Sequence, residues 1–404
     1  MKRGFNLGMF GFGGVGQGLY HMLHETAGIK AAIKKICVKN EKQRMIPASR
    51  LTFDSCDILF DPKIDIVVEL INDADAAFSI VKTALEQGKA VVTANNKMLS
   101  EHIEEIYLLQ RRHGKPVLYE GAVCGSIPIL RNLEEYCNND HLISSIAGIF
   151  NSPTNYILTK IFEEKISYSE ALAAVQRLGF AESDPTLVSG YDPKYKLVIA
   201  IAHTFGLFVN PEDIISIGIN KISGLDLKFA SENNYTIKLI ARAFRDGEKV
   251  YGFVAPQFLE KTDEFATVRN EFNAVQIKGV FSESLLFIGK GAGCYPTGSA
   301  VMSDISALAY DYRYEYRKHH QGLSVQFSND LCVEVFISFQ NPGELVPGDF
   351  VEFMSGYAFQ GNQYMRGSIM LEKLLTLSKE RSVGIILCPK TTQFPVSVEK
   401  LALV

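Results

Sequence analysis

Short apolar runs alternate with longer amphipathic stretches along the first 120 residues. Residues 5–10 read as a buried strand, and 14–26 as a helix opening on glycines. A second strand fits 32–38. "IDIVVEL" at 64–70 is a near-continuous β-branched run, as a parallel strand covered on both faces requires. A helix over 77–89 stops at Gly88, and "AVVTAN" at 90–95 is the next strand. A helix at 101–114 and a short strand at 116–121 follow. Strands alternating with helices at this rhythm predict an α/β domain over 1–130 with a Rossmann-type, doubly wound parallel sheet.

From residue 141 the pattern changes. A strand at 143–150, helices at 168–179 and 192–206, and strand-like pieces at 250–256 and 274–288 predict an α+β substrate and dimerisation domain over 131–306, whose last helix packs back on the first domain. The charged, tyrosine-rich 307–320 reads as a helix. Short strands dominate 321–404, around one helix at 369–380, which predicts a small α+β C-terminal domain.

The cluster "MFGFGGVGQG" at 9–18 closes the first strand. Glycines tolerate turns that other residues resist, so a plain turn would explain them. The spacing Gly11-x-Gly13-x-x-Gly16 also fits a dinucleotide fingerprint, in which a helix N-terminus receives a pyrophosphate. Its place between a strand and a helix favours the second reading. Where the second strand ends, Lys39, Lys42 and Arg44 stand in place of a lone acidic residue, which suits a ribose 2′-phosphate and so NADP. A solvated basic loop is the plainer explanation, and Glu41 leaves NAD possible.

A net charge of −4 points away from nucleic acid and anionic membranes. No apolar run reaches the roughly 18 residues that span a bilayer. Seven scattered cysteines, never in a C-x-x-C pair, point to reduced thiols in a cytoplasmic protein and away from zinc. In "AESDPTLVSGYDPKYKLVIA" at 181–200, Tyr191-Asp192-Pro193 is a helix-start signature with Asp192 as cap and Pro193 as first helical residue. Lys196 lies four residues after Asp192, so both reach one space. A cap beside a surface lysine accounts for that spacing. Yet Glu182, Asp184, Asp192 and Lys196 cluster just before a strongly apolar helix, where carboxylates suit an ammonium and a lysine can exchange a proton with an oxygen.

"GFGGVG", "VVTAN", "EGAVCGSIPIL" (120–130), "GIFNSPTNYILTKI" (148–161), "AESDPT…GYD…K" and "GKGAGCYPTGSAVMSDI" (289–305) occur in the order found in homoserine dehydrogenases. The chain resembles that family over roughly residues 5–320. The resemblance implies reversible NAD(P)-dependent interconversion of L-homoserine and L-aspartate 4-semialdehyde by a homodimer or higher homo-oligomer. It implies that Gly11, Gly13, Gly14, Val15 and Gly16 cradle the pyrophosphate. Thr93 and Asn95 would lie on the nicotinamide side, with Gly293 closing over the cofactor. Glu182, Asp184, Asp192 and Lys196 would meet the substrate, Lys196 handling the proton and Asp192 positioning it. A monovalent cation, sodium in many members, would sit on backbone carbonyls of Glu120, Val123, Gly125 and Ile127.

Three departures surround this pocket. After "TAN" the family carries a lysine, where this chain has Asn96 and then Lys97 as the candidate substitute. "DPTLVSG" is one residue shorter than the family's version, and "NSPTNYIL" has Ser-Pro for Gly-Thr. In the C-terminal region, "VEVFISFQNPGEL" is similar to the entry of an ACT module, with "VPGDFVEF" in place of its usual helix.

Overall fold

The glycine cluster follows the first strand of a six-stranded parallel sheet. The structure, a computed structural model, describes residues 4–26, 28–41, 46–136, 143–177, 188–281, 283–321, 324–359 and 361–389. The chain divides into two units, 1–136 with 289–317 and 137–288 with 318–404.

The first unit contains β1 (Phe5–Phe10), β2 (Ala31–Cys37), β3 (Leu51–Thr52), β4 (Ile66–Glu69), β5 (Ala90–Thr93) and β6 (Val117–Leu118). Their order is β3-β2-β1-β4-β5-β6, every neighbouring pair parallel. The order reverses between β1 and β4, and ligands of such sheets bind in the crevice beyond the strands' carboxyl ends at that switch. All four residues of β4 are buried, which explains its uninterrupted apolar run. Helices Gly14–Glu25, Ala74–Glu86 and Asn96–His113 connect the strands. The helix Cys294–Leu308 lies against Gly14–Glu25 at glycine contacts: a Cβ on Gly18 would meet the Cys294 carbonyl oxygen at 2.6 Å.

The second unit is built on one mixed sheet. Its strands are β7 (Ile143–Ile149), β8 (Ile215–Ser216), β9 (Tyr235–Asp246), β10 (Lys249–Glu260), β11 (Phe272–Gly279), β12 (Ser284–Lys290), β13 (Gln326–Phe327), β14 (Cys332–Phe339), β15 (Glu352–Phe359), β16 (Asn362–Met370) and β17 (Gly384–Leu387). The order is β12-β11-β7-β9-β10-β17-β14-β16-β15, with β8 and β13 also pairing β10. Residues of β9, β10, β14 and β17 share one apolar core. By contacts, 289–317 group with the parallel sheet, where the helix expected to pack back on the first domain lies, and β14–β17 extend the mixed sheet.

Several elements differ from expectation. The segment 307–320 is not one helix, because a helix already runs Cys294–Leu308 and only Arg317–His320 is helical beyond it. Asp311 and Tyr316 adopt φ of 58° and 47°, which no α-helix accommodates. Tyr314 and Tyr316 are buried and Tyr119 packs with them, so "YDYRYEY" follows a period of two. The strand-like 274–288 is two strands. The apolar pattern of β9 is interrupted by Lys238 and Arg242, yet both are buried. Lys238 Nζ donates to Asn155 Oδ1 at 2.8 Å and the Val268 carbonyl at 2.6 Å, and burial lowers its pKa to about 8.

Candidate active site

Gly11 turns the chain out of β1 at φ +89°, where a Cβ would meet the Leu70 carbonyl oxygen at 2.5 Å. A Cβ on Gly16 would meet the Gly11 carbonyl oxygen at 2.8 Å, so the helix starts tightly against the turn. Gly13 and Gly14 face open space, with nothing within 4 Å of a Cβ at either. Gly13 caps the Gly14–Glu25 helix and offers no side chain to its first N–H groups, leaving Gly14, Val15 and Gly16 at an N-terminus suited to an anion. Cys294 Sγ donates to the Gly14 carbonyl at 2.8 Å, and Gly293, at φ +122°, caps the Cys294 helix. Open backbone at a helix N-terminus of this kind is what a phosphate can approach closely.

The adjoining strand ends are internally braced. Thr93 Oγ1 donates to Glu69 Oε2 at 2.5 Å, and Glu69 Oε1 accepts from Ile71 N at 2.7 Å. Asn95 Nδ2 donates to the Ile71 carbonyl at 3.0 Å while its Oδ1 accepts from Met98 N at 3.0 Å. Burial raises the Glu69 carboxyl to about 7, against the opposing pull of the Thr93 and Ile71 bonds. Lys39 is exposed just past β2, whereas Lys42 and Arg44 lie outside the described residues.

The helix expected at 101–114 begins at Asn96, because Asn95 caps it. Asn96 and Lys97 therefore occupy its first turn. Asn96 is half-buried. Lys97 is exposed, its Nζ 3.8 Å from Glu101.

Glu120, Val123, Gly125 and Ile127 lie on one buried turn. Gly125 has φ +51°, and a Cβ there would meet the carbonyl oxygens of Gly291 and Lys290 at 2.7 and 2.8 Å. The Glu120 carboxylate is committed to the Leu130 and Arg131 N–H groups at 2.7 and 3.1 Å. The Glu120 N–H donates to Asp304 Oδ2 at 2.9 Å, and Arg131 donates to Asp304 Oδ1 at 2.5 Å. Burial, with the neighbouring Asp304 charge, raises Glu120 to about 8; burial raises Asp304 to about 6 despite Arg131. Hard carbonyl oxygens on this turn are the donor type that an alkali cation takes.

In the second unit the helix Tyr191–Phe205 starts differently from its sequence signature. Gly190, at φ +89°, is the cap, so Asp192 and Pro193 stand inside the first turn. Asp192 Oδ2 instead accepts from Lys196 Nζ at 2.9 Å and from Asn151 Nδ2 at 2.8 Å. Lys196 Nζ also donates to the Phe150 carbonyl at 2.8 Å, and its side chain is only 9% exposed. Asn151 and Phe150 were not singled out in the sequence. They follow β7, and Asn151 Oδ1 caps the helix Ser152–Glu164 through Thr154 N at 2.9 Å. Pro153 falls in that helix's first turn, where a missing N–H is harmless. Glu182 and Asp184 lie outside the described residues, so the structure brings together Asp192 and Lys196 of the expected four.

An ammonium has three donors. Two of those on Lys196 are spent on Phe150 and Asp192, which aims the third. A buried, carboxylate-held lysine of this kind can exchange a proton with a carbonyl or alcohol oxygen.

Two family models match the chain: "Homoserine dehydrogenase, NAD binding domain" over residues 11–120 and "Homoserine dehydrogenase" over 128–306. The homoserine dehydrogenase of Bacillus subtilis (strain 168) is 37% identical over 322 residues, covering 77% of this chain and 74% of that protein. That of Helicobacter pylori is 35% identical, covering 76% and 75%. Among solved structures, a homoserine dehydrogenase from Thiobacillus denitrificans superposes with a TM-score of 0.82 at 26% identity, covering 96% of this chain and 98% of that one. The S. aureus enzyme at pH 7.5 gives 0.72 at 28%, covering 96% and 99%.

Proposed function

We infer the mechanism from one premise: the chain belongs to the homoserine dehydrogenase family. It is an NAD(P)-dependent oxidoreductase that interconverts L-aspartate 4-semialdehyde and L-homoserine. The bound nicotinamide cofactor supplies or accepts the hydride. The open backbone at Gly13 and Gly14, with the helix N-terminus behind it, supports the pyrophosphate reading for Gly11, Gly13, Gly14, Val15 and Gly16.

Lys196 gives its proton to the substrate oxygen in reduction and takes it back in oxidation. Asp192, with Asn151 and the Phe150 carbonyl, aims the amine. The single observation that carries this assignment is the buried Lys196 ammonium with two of its three donors fixed. Positioning of that order supplies much of an enzyme's rate. Glu182 and Asp184 complete the reading as substrate ligands.

Lys39, exposed past β2, supports NADP over NAD, with Arg44 as its partner. The carbonyl-rich turn supports a sodium ion held by Glu120, Val123, Gly125 and Ile127. The helix Leu371–Glu380 beside β14–β17 supports reading the C-terminal region as a degenerate ACT-like module. A homodimer or higher homo-oligomer is supported by the outer strand β15, exposed along its length with Phe353, Met354, Tyr357 and Phe359 uncovered. None of the six described cysteines forms a disulfide, in keeping with the cytoplasm.

NADPH consumption with aspartate semialdehyde tests the assignment. Lys196→Ala should lower turnover by on the order of 10²–10⁴ with NADP affinity unchanged. A variant keeping most of its turnover would return the Asp192–Lys196 pair to a structural role.

A further inference from the structure

The helix Ser152–Glu164, whose cap Asn151 holds Asp192, is anchored by a buried cation that the mechanism above does not use. Lys238 of β9 is 3% exposed, and its bonds go to two neutral acceptors, Asn155 Oδ1 at 2.8 Å and the Val268 carbonyl at 2.6 Å. An ammonium donates and never accepts, so it dictates which end of the Asn155 amide faces it. The other end, Nδ2, is thereby turned to the Phe272 carbonyl at 2.9 Å and the Val268 carbonyl at 3.3 Å. The Asn155 N–H donates to the Asn151 carbonyl at 3.3 Å, and Thr159 Oγ1, one turn on, accepts from Asn270 N at 3.0 Å. Together these bonds fix the rotation of the helix about its own axis against β9 and the segment 268–272.

That rotation sets where Asn151 points. Asn151 and Asn155 lie four residues apart, on nearly the same face of the helix. A side-chain atom sits about 5–6 Å from a helix axis, so a rotation of about 10° moves it by about 1 Å. Asn151 Nδ2 donates to Asp192 Oδ2 at 2.8 Å, and a displacement of that size breaks the bond. We propose that Lys238 is a positioning residue for the reaction: by orienting Asn155 it holds the Ser152–Glu164 helix in the rotation at which Asn151 reaches Asp192, and through Asp192 it aims Lys196. The consequence for turnover rests on the role assigned to Lys196 above, whereas the geometry at Asn151 does not.

The anchor carries its own pH dependence. Burial lowers Lys238 to about 8, with Glu163 opposing the fall and Arg269 adding to it. Glu163 comes from the helix and Arg269 from the segment 268–272; the two pair with each other at 2.7 Å, their side chains 44% and 65% exposed. Loss of the Lys238 proton replaces two charge-assisted bonds by neutral ones of about half the strength. The helix is therefore held less firmly as pH rises through about 8.

Asparagine-selective isotope labelling of the whole chain, read by NMR, tests the geometry without turnover, the Asn151 side-chain resonance being assigned by its loss in Asn151→Ser. That resonance should titrate with a midpoint near pH 8, in Lys196→Ala as in the parent, and the exposed substitution Glu163→Gln should lower the midpoint. Lys238→Met, of similar length but without donors, should displace the resonance and abolish its titration. A resonance flat from about pH 6.5 to 9.5, or one that titrates only while Lys196 is present, overturns the proposal. In turnover, Lys238→Met should lower kcat at least fivefold with the KM for NADPH changed less than twofold. Added to Asn151→Ser it should lower kcat no more than twofold further, because both act through one amide. Losses that multiply overturn the proposal, as does a lower melting temperature with kcat kept. Where Lys238→Met does not fold, the Glu163→Gln titration decides, and an unmoved midpoint there overturns it. A chain that shows the expected titration but reduces no semialdehyde keeps the anchor and sinks the catalytic reading of Lys196 instead.

Discussion

Asn151 bonds Asp192 through one end of its amide and starts a helix with the other. Its Nδ2 donates to Asp192 Oδ2 at 2.8 Å, while its Oδ1 accepts from Thr154 N at 2.9 Å. One buried side chain thus ties the position of the Ser152–Glu164 helix to the carboxylate that holds Lys196. Asp192 is held from two sides, by Asn151 and by Lys196.

Separating the two ends of Asn151 gives the first prediction. Serine caps about as well as asparagine but has no amide to reach Asp192. Asn151→Ser should therefore keep stability within about 0.5 kcal/mol and lower kcat roughly tenfold. Asn151→Ala, which loses both bonds, should lose about 1 kcal/mol more. Urea unfolding and NADPH consumption measure the two effects. Full kcat in the serine variant would show that Lys196 suffices to hold Asp192.

The pair Asp192–Lys196 was legible because four residues make one helical turn, so contact follows from spacing alone. Asn151 was not, because its partner lies 41 residues away and only the packing of β7 beside the Tyr191–Phe205 helix brings them together. The parallel sheet was legible from β-branched runs and glycine stops. β9 was missed because Lys238 and Arg242 interrupt its apolar pattern, and their burial depends on bonds to distant partners such as Asn155 and Val268. The tyrosine segment misled through composition: its charged, tyrosine-rich run suggested a helix, whereas Tyr312, Tyr314 and Tyr316 repeat at the period of an extended chain. The cap at Gly190 was hidden by the stronger local signal of Asp-Pro.

Two glycines near the cofactor cradle should respond in opposite ways. A Cβ at Gly13 meets nothing within 4 Å, whereas one at Gly18 meets the Cys294 carbonyl oxygen at 2.6 Å and its Sγ at 2.8 Å. Gly13→Ala should leave the melting temperature nearly unchanged and weaken NADP at least tenfold, since the methyl fills space the phosphate needs. Gly18→Ala should destabilise by about 1–3 kcal/mol through overpacking. Thermal melts and cofactor titration separate them. Unaltered NADP affinity in Gly13→Ala would move the phosphate off this turn.

The buried Glu69 carboxyl makes stability depend on pH. Its folded pKa, about 7, is raised above the ordinary 4.5 by burial. Its protonated form is the favoured one inside, so its contribution is whole below about pH 4.5 and fades as pH rises through about 7. The parent should lose up to roughly 3 kcal/mol over that window relative to Glu69→Gln. Glu120 and Asp304, also raised, titrate in both proteins and cancel in the difference. Parallel stability curves from denaturant unfolding at several pH values would show that folding leaves the Glu69 pKa unshifted.

The displaced lysine is the sharpest question the site poses. Hydride transfer forms or consumes an alkoxide, so a second donor beside that oxygen speeds the step. The helix begins at Asn96, and adjacent positions on a helix differ by about 100°, so Lys97 cannot take the direction that residue 96 faces. Consistent with this, Lys97 is exposed and 3.8 Å from Glu101, four residues along the same helix. Asn96 can donate a hydrogen bond but brings no charge. Asn96→Lys should then raise kcat tenfold or more, with Lys97→Ala changing it less than twofold. If Lys97→Ala abolishes turnover while Asn96→Lys does nothing, Lys97 is the working residue and the rotation argument fails. If parent and Asn96→Lys are both inactive, the shortened "DPTLVSG" segment is the defect.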